Sequence, residues 1–223
     1  MDLNSKLAVL ERIYRIYDDF AVSLDIACRR YCSLCCTVNV TMTTLEGCKI
    51  AESIMSEEKR CLFEKIRCAS SLQRFRPQET INMLAELCLE GVDLPEEDNA
   101  FPGECPLLLD NECAVYNVRP FGCRCFVSKQ NCAESGSATV DDFVLTVNNI
   151  FLQVIEHVDA GGSSGNLTDV LLFLENGESL LSSKMIIPSS VLIKNHHLKI
   201  LMIPPEHREE AQPILDALNK LKY

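Results

Sequence analysis

A mainly α-helical fold with a small β-hairpin is predicted by three features of the sequence. Leu3, Leu7, Leu10, Tyr14, Tyr17 and Leu24 recur at helical spacing over residues 3–26, with the charges mainly between them. Thr43 followed by Glu46 matches a capping box, in which each residue satisfies a backbone N–H at a helix start. Two short apolar runs, Leu107 to Leu109 and Ala114 to Tyr116, flank Asp110, Asn111 and Glu112 as the strands of a tight hairpin would.

Taken in order, the amphipathic helix over 3–26 leads into the first group of cysteines, and the capped helix runs from Thr43 toward Met55. A third helix over 57–75 must stop before Pro77, because the residue preceding a proline is pushed out of helical geometry. Pro77 suits the first turn of a fourth, which extends to about Glu90 with Gly91 as its stop. The acidic stretch from Val92 to Glu104 reads as a loop that delivers the hairpin, and the hairpin would bring Cys105 and Cys113 together. Residues 140–158 read as helix, Gly161 to Gly165 as a flexible joint, and Asn166 as the cap of a helix through Glu175. Val191 to Ile193 and Leu198 to Ile203 are β-prone runs, followed by a helical end that Pro213 would divide. This organisation suggests a cysteine-cluster domain over 1–132 and a cysteine-free mixed α/β region over 133–223 packed on it.

With 223 residues, 47% hydrophobic and 24% charged, the chain has the composition of a soluble globular protein with enough length for a core of its own. No apolar run approaches the ~20 residues of a membrane span. Asp2, Glu11, Asp18 and Asp19 interrupt the N-terminal stretch where a secretory signal would be apolar, so a cytoplasmic address is expected. A net charge of -11 argues against a nucleic-acid partner. There is no glycine-rich phosphate loop, dinucleotide fingerprint or Ser/His/Asp order, and nothing identifies a protein partner.

Thirteen cysteines in a reducing compartment point to metal or redox chemistry rather than a disulfide framework. Four lie between Cys28 and Cys36 and five between Cys105 and Cys132. In the first group, Cys28, Cys32, Cys35 and Cys36, the two-residue gap from Cys32 to Cys35 is the bite of a chelating turn, and on a helix Cys28 and Cys32 would share a face. So many adjacent thiols cannot all ionise cheaply, whereas a bound cation removes the repulsion and favours thiolates. Cys35 and Cys36, as neighbours, point in different directions, which allows two metals or one metal plus a reactive thiol. The second group supplies Cys105, Cys113 and Cys123, and Arg29, Arg30, Arg119 and Arg124 stand where they could moderate the charge of a thiolate centre or serve as surface cations. The expected metal ligands are therefore Cys28, Cys32, Cys35, Cys36, Cys105, Cys113 and Cys123, around which the helical domain would be centred.

These two segments resemble the YkgJ-type cysteine-cluster family, a zinc- or iron-chelating domain. The likeness covers about residues 24–126 and rests on the spacing of Cys28, Cys32, Cys35 and Cys36, the threonine-rich turn with Glu46, Cys105-Pro106, Cys113 to Tyr116, Arg119-Pro120 and Cys123-Arg124, with a loose match over 47–104. It implies zinc, iron or an iron–sulfur cluster as cofactor, and its relatives include the flagellin lysine methylases, which carry a similar cysteine set and an iron–sulfur cluster. Two further functions follow as alternatives: an iron–sulfur enzyme related to those methylases, or a structural-zinc interaction or redox-sensor module. Thiolates serve all these metals, so the sequence does not choose among them.

Other residues have plainer readings. Cys48, Cys61, Cys68 and Cys88 fall at core spacing, Cys61 and Cys68 together with Leu72 and Phe75. Cys125 and Cys132 are neighbours of the site that could ligate, resolve a disulfide or pack. Glu46 is explained first as a helix cap, Tyr116 as a core aromatic, and His196 and His197 as a solvated turn outside the site.

Overall fold

The computed structural model describes residues 1–54, 56–92, 101–178 and 191–221. In chain order these hold α1 (Leu3–Val22), β1 (Thr41–Thr43), α2 (Thr44–Ser53), α3 (Ser56–Ala69), α4 (Ile81–Leu89), β2 (Leu108–Leu109) and β3 (Glu112–Cys113). There follow α5 (Phe121–Arg124), α6 (Cys132–Ser135), α7 (Asp142–Val158), β4 (Ser163–Asn166), α8 (Leu167–Glu178), β5 (Ile193–Lys194) and α9 (Arg208–Asn219). The fold is mainly α with a small antiparallel sheet and a two-stranded hairpin. No helix among the described residues is long and apolar enough to cross a membrane.

The amphipathic stripe of α1 buries Leu7, Leu10, Ile13, Tyr14 and Tyr17 in a cluster with Val147, Ile150, Phe151 and Val154 of α7, Phe121 of α5, and Ala211 and Leu218 of α9. Tyr17, Phe121 and Phe151 meet with ring centroids 4.7 to 5.6 Å apart. Each such side chain contributes about 1.5–3 kcal/mol by leaving water. A second cluster joins Ile50 of α2, Leu62, Phe63 and Ile66 of α3, Leu107, Val115, and Val170 and Leu171 of α8. The sheet is ordered β1-β4-β5, with Met42 opposite Gly165 and Ser164 opposite Ile193, so strands from both sides of residue 132 share it.

Local chemistry sets most element ends. Thr43 and Glu46 form the capping box of α2, Asn166 Oδ1 accepts from Thr168 N at 3.0 Å at the start of α8, and Gly91 takes the left-handed conformation (φ 71°) just past α4. Three helix boundaries differ from expectation. α1 stops at Val22, where Ser23 Oγ bonds back to the Phe20 carbonyl at 2.6 Å, and the segment carrying Cys28 and Cys32 is irregular rather than helical. α3 ends at Ala69, where the Ser70 and Ser71 hydroxyls bond to the carbonyls of Arg67 and Cys68. α4 begins at Ile81 behind a Thr80 cap, not at Pro77.

The larger corrections are tertiary. Residues 161–165 are not a flexible joint: they lead into and form most of β4, the middle strand. Their glycines mark close approach, since a Cβ on Gly162 would stand 2.4 Å from an Asp159 oxygen and one on Gly165 2.5 Å from Leu192. Leu198 to Ile203 form no strand among the described residues. Side chains of α7 take their backbone bonds instead: Gln153 accepts from Met202 N (3.0 Å) and donates to Ile200 O (2.8 Å), and His157 Nδ1 accepts from Leu198 N (3.1 Å). Pro213 lies inside α9 and does not divide it.

Cys61, Cys68 and Cys88 are exposed rather than core residues. The buried stripe of α3 is Leu62, Phe63 and Ile66, which turns Cys61 outward, and the Leu72 and Phe75 expected beside Cys68 lie past the end of that helix. α4 buries Asn82 and Ala85 instead of the face bearing Cys88. Cys48 is half-buried against the first cluster.

Candidate metal centre

Three segments carry the seven cysteines, the irregular 28–36 loop, the 105–113 hairpin segment and the short helix α5, and backbone bonds join the first two. The 28–36 loop is built of tight turns, with Cys32 N bonded to Arg29 O (3.0 Å), Cys36 N to Ser33 O (2.9 Å), and Tyr31 held at a left-handed φ of 73°. That conformation costs a non-glycine residue about 1–2 kcal/mol, so the surroundings must fix it. The Cys105 N–H donates to the Cys36 carbonyl at 3.0 Å, and Thr37 pairs with Glu104, which docks the second group of cysteines directly on the first.

The hairpin adds Cys113. Asp110 and Asn111 both take positive φ (50° and 63°), the requirement of a two-residue hairpin turn whose twist matches the strands. Two side-chain links tie the hairpin to the first loop: Ser33 Oγ with Asn111 Oδ1 at 3.1 Å, and Arg30 with Glu112.

Cys123 sits on α5, whose first N–H, that of Phe121, donates to Glu46 Oε1 at 2.6 Å. Glu46 also accepts from Tyr14 Oη (2.8 Å) and, through Oε2, from Thr43 N (2.8 Å), so the fully buried carboxylate is more than a helix cap: it joins α1, α2 and α5. At the other end of α5, buried Arg124 bonds to Asp18 Oδ1 (3.1 Å), Asn117 O (2.7 Å) and Arg119 O (3.2 Å) with its guanidinium over the Tyr14 ring.

The result is one cavity of about 170 Å³ lined by Cys28, Cys32, Cys35, Cys36, Cys105, Cys113 and Cys123. Tyr17 bounds it from the first hydrophobic cluster, and Val40, Leu107, Val115 and Leu167 from the second, so it lies where the two cores meet. Cys125 packs toward the first cluster with its Sγ 3.6 Å from Gly122 O and does not line the cavity; neither does Cys132. His196 and His197 also lie elsewhere, His197 beside His157.

The thiols feel one another. Burial first, and then the neighbouring Cys113, pushes Cys105 up to about 11. Cys123 is raised well above the ordinary thiol value by burial and then by Cys105 and Cys113. Burial also raises Cys28 and Cys113. Cys35 goes the other way and is lowered, first by the neighbouring Cys36 thiol and then with help from Arg119, while Cys36 is raised by the same pairing. Among the described residues no group of three or more His, Cys, Asp or Glu side chains is assembled in ready coordination geometry. The all-sulfur donor set suits a soft or borderline cation, and closing on one requires side-chain rotation and loss of thiol protons.

The sequence carried no signal for Tyr31 and Phe126 at the cavity mouth, or for the ties from Glu46 to Tyr14 and Phe121. No protein-family model, curated protein or solved structure was found to match the chain.

Proposed function

We propose that this is a metal-binding protein that chelates zinc or iron through cysteine thiolates, with Cys28, Cys32, Cys35, Cys36, Cys105, Cys113 and Cys123 as the donor pool. The convergence of seven thiols from three separated segments on one cavity supports this reading. Core cysteines have no reason to gather in this way, since a buried thiol packs as an ordinary small apolar group. The spacing that resembles the YkgJ-type family supports it independently of the geometry. A thiolate centre needs a reducing compartment, which makes the cytoplasm its proposed address.

One observation favours iron–sulfur or multi-ion loading over a single zinc. A tetrahedral ion takes about four donors, whereas seven are present around about 170 Å³, roughly ten times the space that holds one water. An iron–sulfur centre would also be consistent with chemistry of the kind implied by the likeness to flagellin lysine methylases.

The test is anaerobic purification followed by elemental analysis for zinc, iron and acid-labile sulfide. Wild-type protein should hold metal stoichiometrically, Cys113→Ser should lose metal and stability together, and Cys61→Ser, at an exposed position, should change neither. Equal metal content in Cys113→Ser and wild type would remove the proposal. Colourless anaerobic protein holding only zinc would remove the iron–sulfur reading alone.

A further inference from the structure

Three arginines, Arg29, Arg119 and Arg124, line the thiol cavity against one carboxylate, Asp18, although acidic residues outnumber basic ones 32 to 21 in the chain. Of the arginines around it, Arg30 is paired with Glu112 and Arg124 with Asp18. Asp18 also lines the cavity, and its carboxylate is engaged by Arg124 at 3.1 and 3.2 Å. Arg29 and Arg119 line the same cavity, and among the described residues neither has a carboxylate partner.

Arg119 is nevertheless held in place. Its guanidinium lies 4.0 Å from the centre of the Tyr116 ring, and Nη1 donates to Tyr116 O at 2.8 Å; its other N–H groups have no acceptor among the described residues. A planar fork fixed by stacking is preorganised for an oxyanion, because little side-chain entropy remains to be lost on binding. The Arg29 side chain makes no hydrogen bond or ion pair among the described residues. Two rings complete the mouth: Tyr31, 63% exposed on its left-handed backbone, and Phe126, 55% exposed. Exposed rings lining the same cavity as unmatched cations are the elements of a site for a small amphipathic anion.

We propose that the cavity mouth binds a small molecule carrying a carboxylate or phosphate, its oxyanion held by Arg119 and Arg29 and its apolar part against Tyr31 and Phe126. The ligand would then lie directly over the thiols. The competing account is that the two arginines only offset the negative charge of a thiolate centre. That account fits Arg119 better than Arg29, and it gives no role to the exposed rings. The inference rests on the metal reading only for what the anion meets on the cavity floor, so metal content and anion binding must be read from the same samples.

The experiment titrates metal-replete, full-length protein at low salt by calorimetry, with inorganic phosphate in one arm and succinate in the other, and repeats both on Arg29→Gln and Arg119→Gln. At least one anion should bind saturably, and each variant should weaken it by about tenfold or more, the scale of one lost charge-assisted contact. Arg29→Gln should keep its full metal content. The arm that binds identifies the oxyanion class. If Arg119→Gln fails to fold or to hold metal, Arg29→Gln alone decides. Three results would overturn the proposal: no saturable binding of either anion up to tens of millimolar, wild-type affinity in Arg29→Gln, or loss of metal from Arg29→Gln without any anion binding. The first two leave the metal centre standing if metal is still present.

Discussion

Burial and thiolate chemistry oppose each other at Cys105, Cys113 and Cys123. Each is raised by burial, Cys105 to about 11, so near neutral pH these thiols carry their protons. A metal that binds must displace those protons, and its apparent affinity therefore rises with pH and falls as the solution is acidified. Adding zinc to metal-free protein in weak buffer near neutrality should release more than one proton per ion, and Cys105→Ser should release fewer; an indicator dye reads both. Zinc binding without acid release would mean that the ion is held by something other than these thiols. Cys28, Cys32, Cys35 and Cys36 stand out in the sequence because close spacing is a local property, and Cys105 and Cys113 because the hairpin between them is, whereas the meeting of the two groups at one cavity is tertiary. Cys61, Cys68 and Cys88 depart from core spacing because the buried stripe of α3 turns away from Cys61, that helix ends just past Cys68 before Leu72 and Phe75, and α4 buries a face other than the one bearing Cys88.

The cysteine loops have little regular structure, so flanking elements must hold them, and Glu46 is the clearest such device. Its two oxygens accept from Thr43 N, Tyr14 Oη and Phe121 N, the last at the start of the helix that carries Cys123. A glutamine there has one oxygen for these donors and turns an NH₂ toward the rest, leaving a buried donor unsatisfied at a cost of about 1–3 kcal/mol. Glu46→Gln should therefore lower the urea midpoint and weaken metal retention together. An unchanged midpoint would show that the carboxylate is dispensable to the packing of α5. The capping box and the hairpin were visible in the sequence because each is decided within a few residues. The strand β4 was not, because Ser163 to Asn166 has no β-prone pattern and is ordered by β1 and β5 on either side. Leu198 to Ile203 failed in the opposite sense: β-prone by composition, this stretch is bonded by the side chains of Gln153 and His157 on α7.

For the molecule as a whole, the cysteine-free part of the chain is built into the support of the cysteine-rich part. Asn166 Nδ2 donates to Val38 O at 2.7 Å and to Phe75 O at 3.0 Å, and Asp159 accepts from Thr44 Oγ1 at 2.7 Å and from Leu45 N at 3.1 Å. A chain cut after Cys132 should accordingly lose cooperative unfolding and bind metal poorly, as circular dichroism and metal analysis of the fragment would report; a fragment that melts cooperatively with metal bound would show that residues 1–132 fold alone. One link across this boundary is electrostatic. Asp169 on α8 is 1% exposed and bonds to Arg74 at 2.5 and 3.1 Å and to Arg76 at 3.0 Å, Arg74 being 4% exposed. Burial alone would raise its carboxyl, but the hydrogen bonds from the two arginines outweigh burial and hold it below the ordinary value of 3.8. A folded-state value below the unfolded one means that the link stabilises above the unfolded value and loses its contribution as the pH falls through the folded one. Asp169→Asn leaves the Arg74 guanidinium buried without its countercharge, a loss of about 3–5 kcal/mol at neutral pH. Urea unfolding should show that full gap at pH 7, and the gap should narrow on acidification below 3.8, because the wild-type carboxyl is then being neutralised as well. A gap that stays constant across that range would mean that the substitution acts through packing and not through charge.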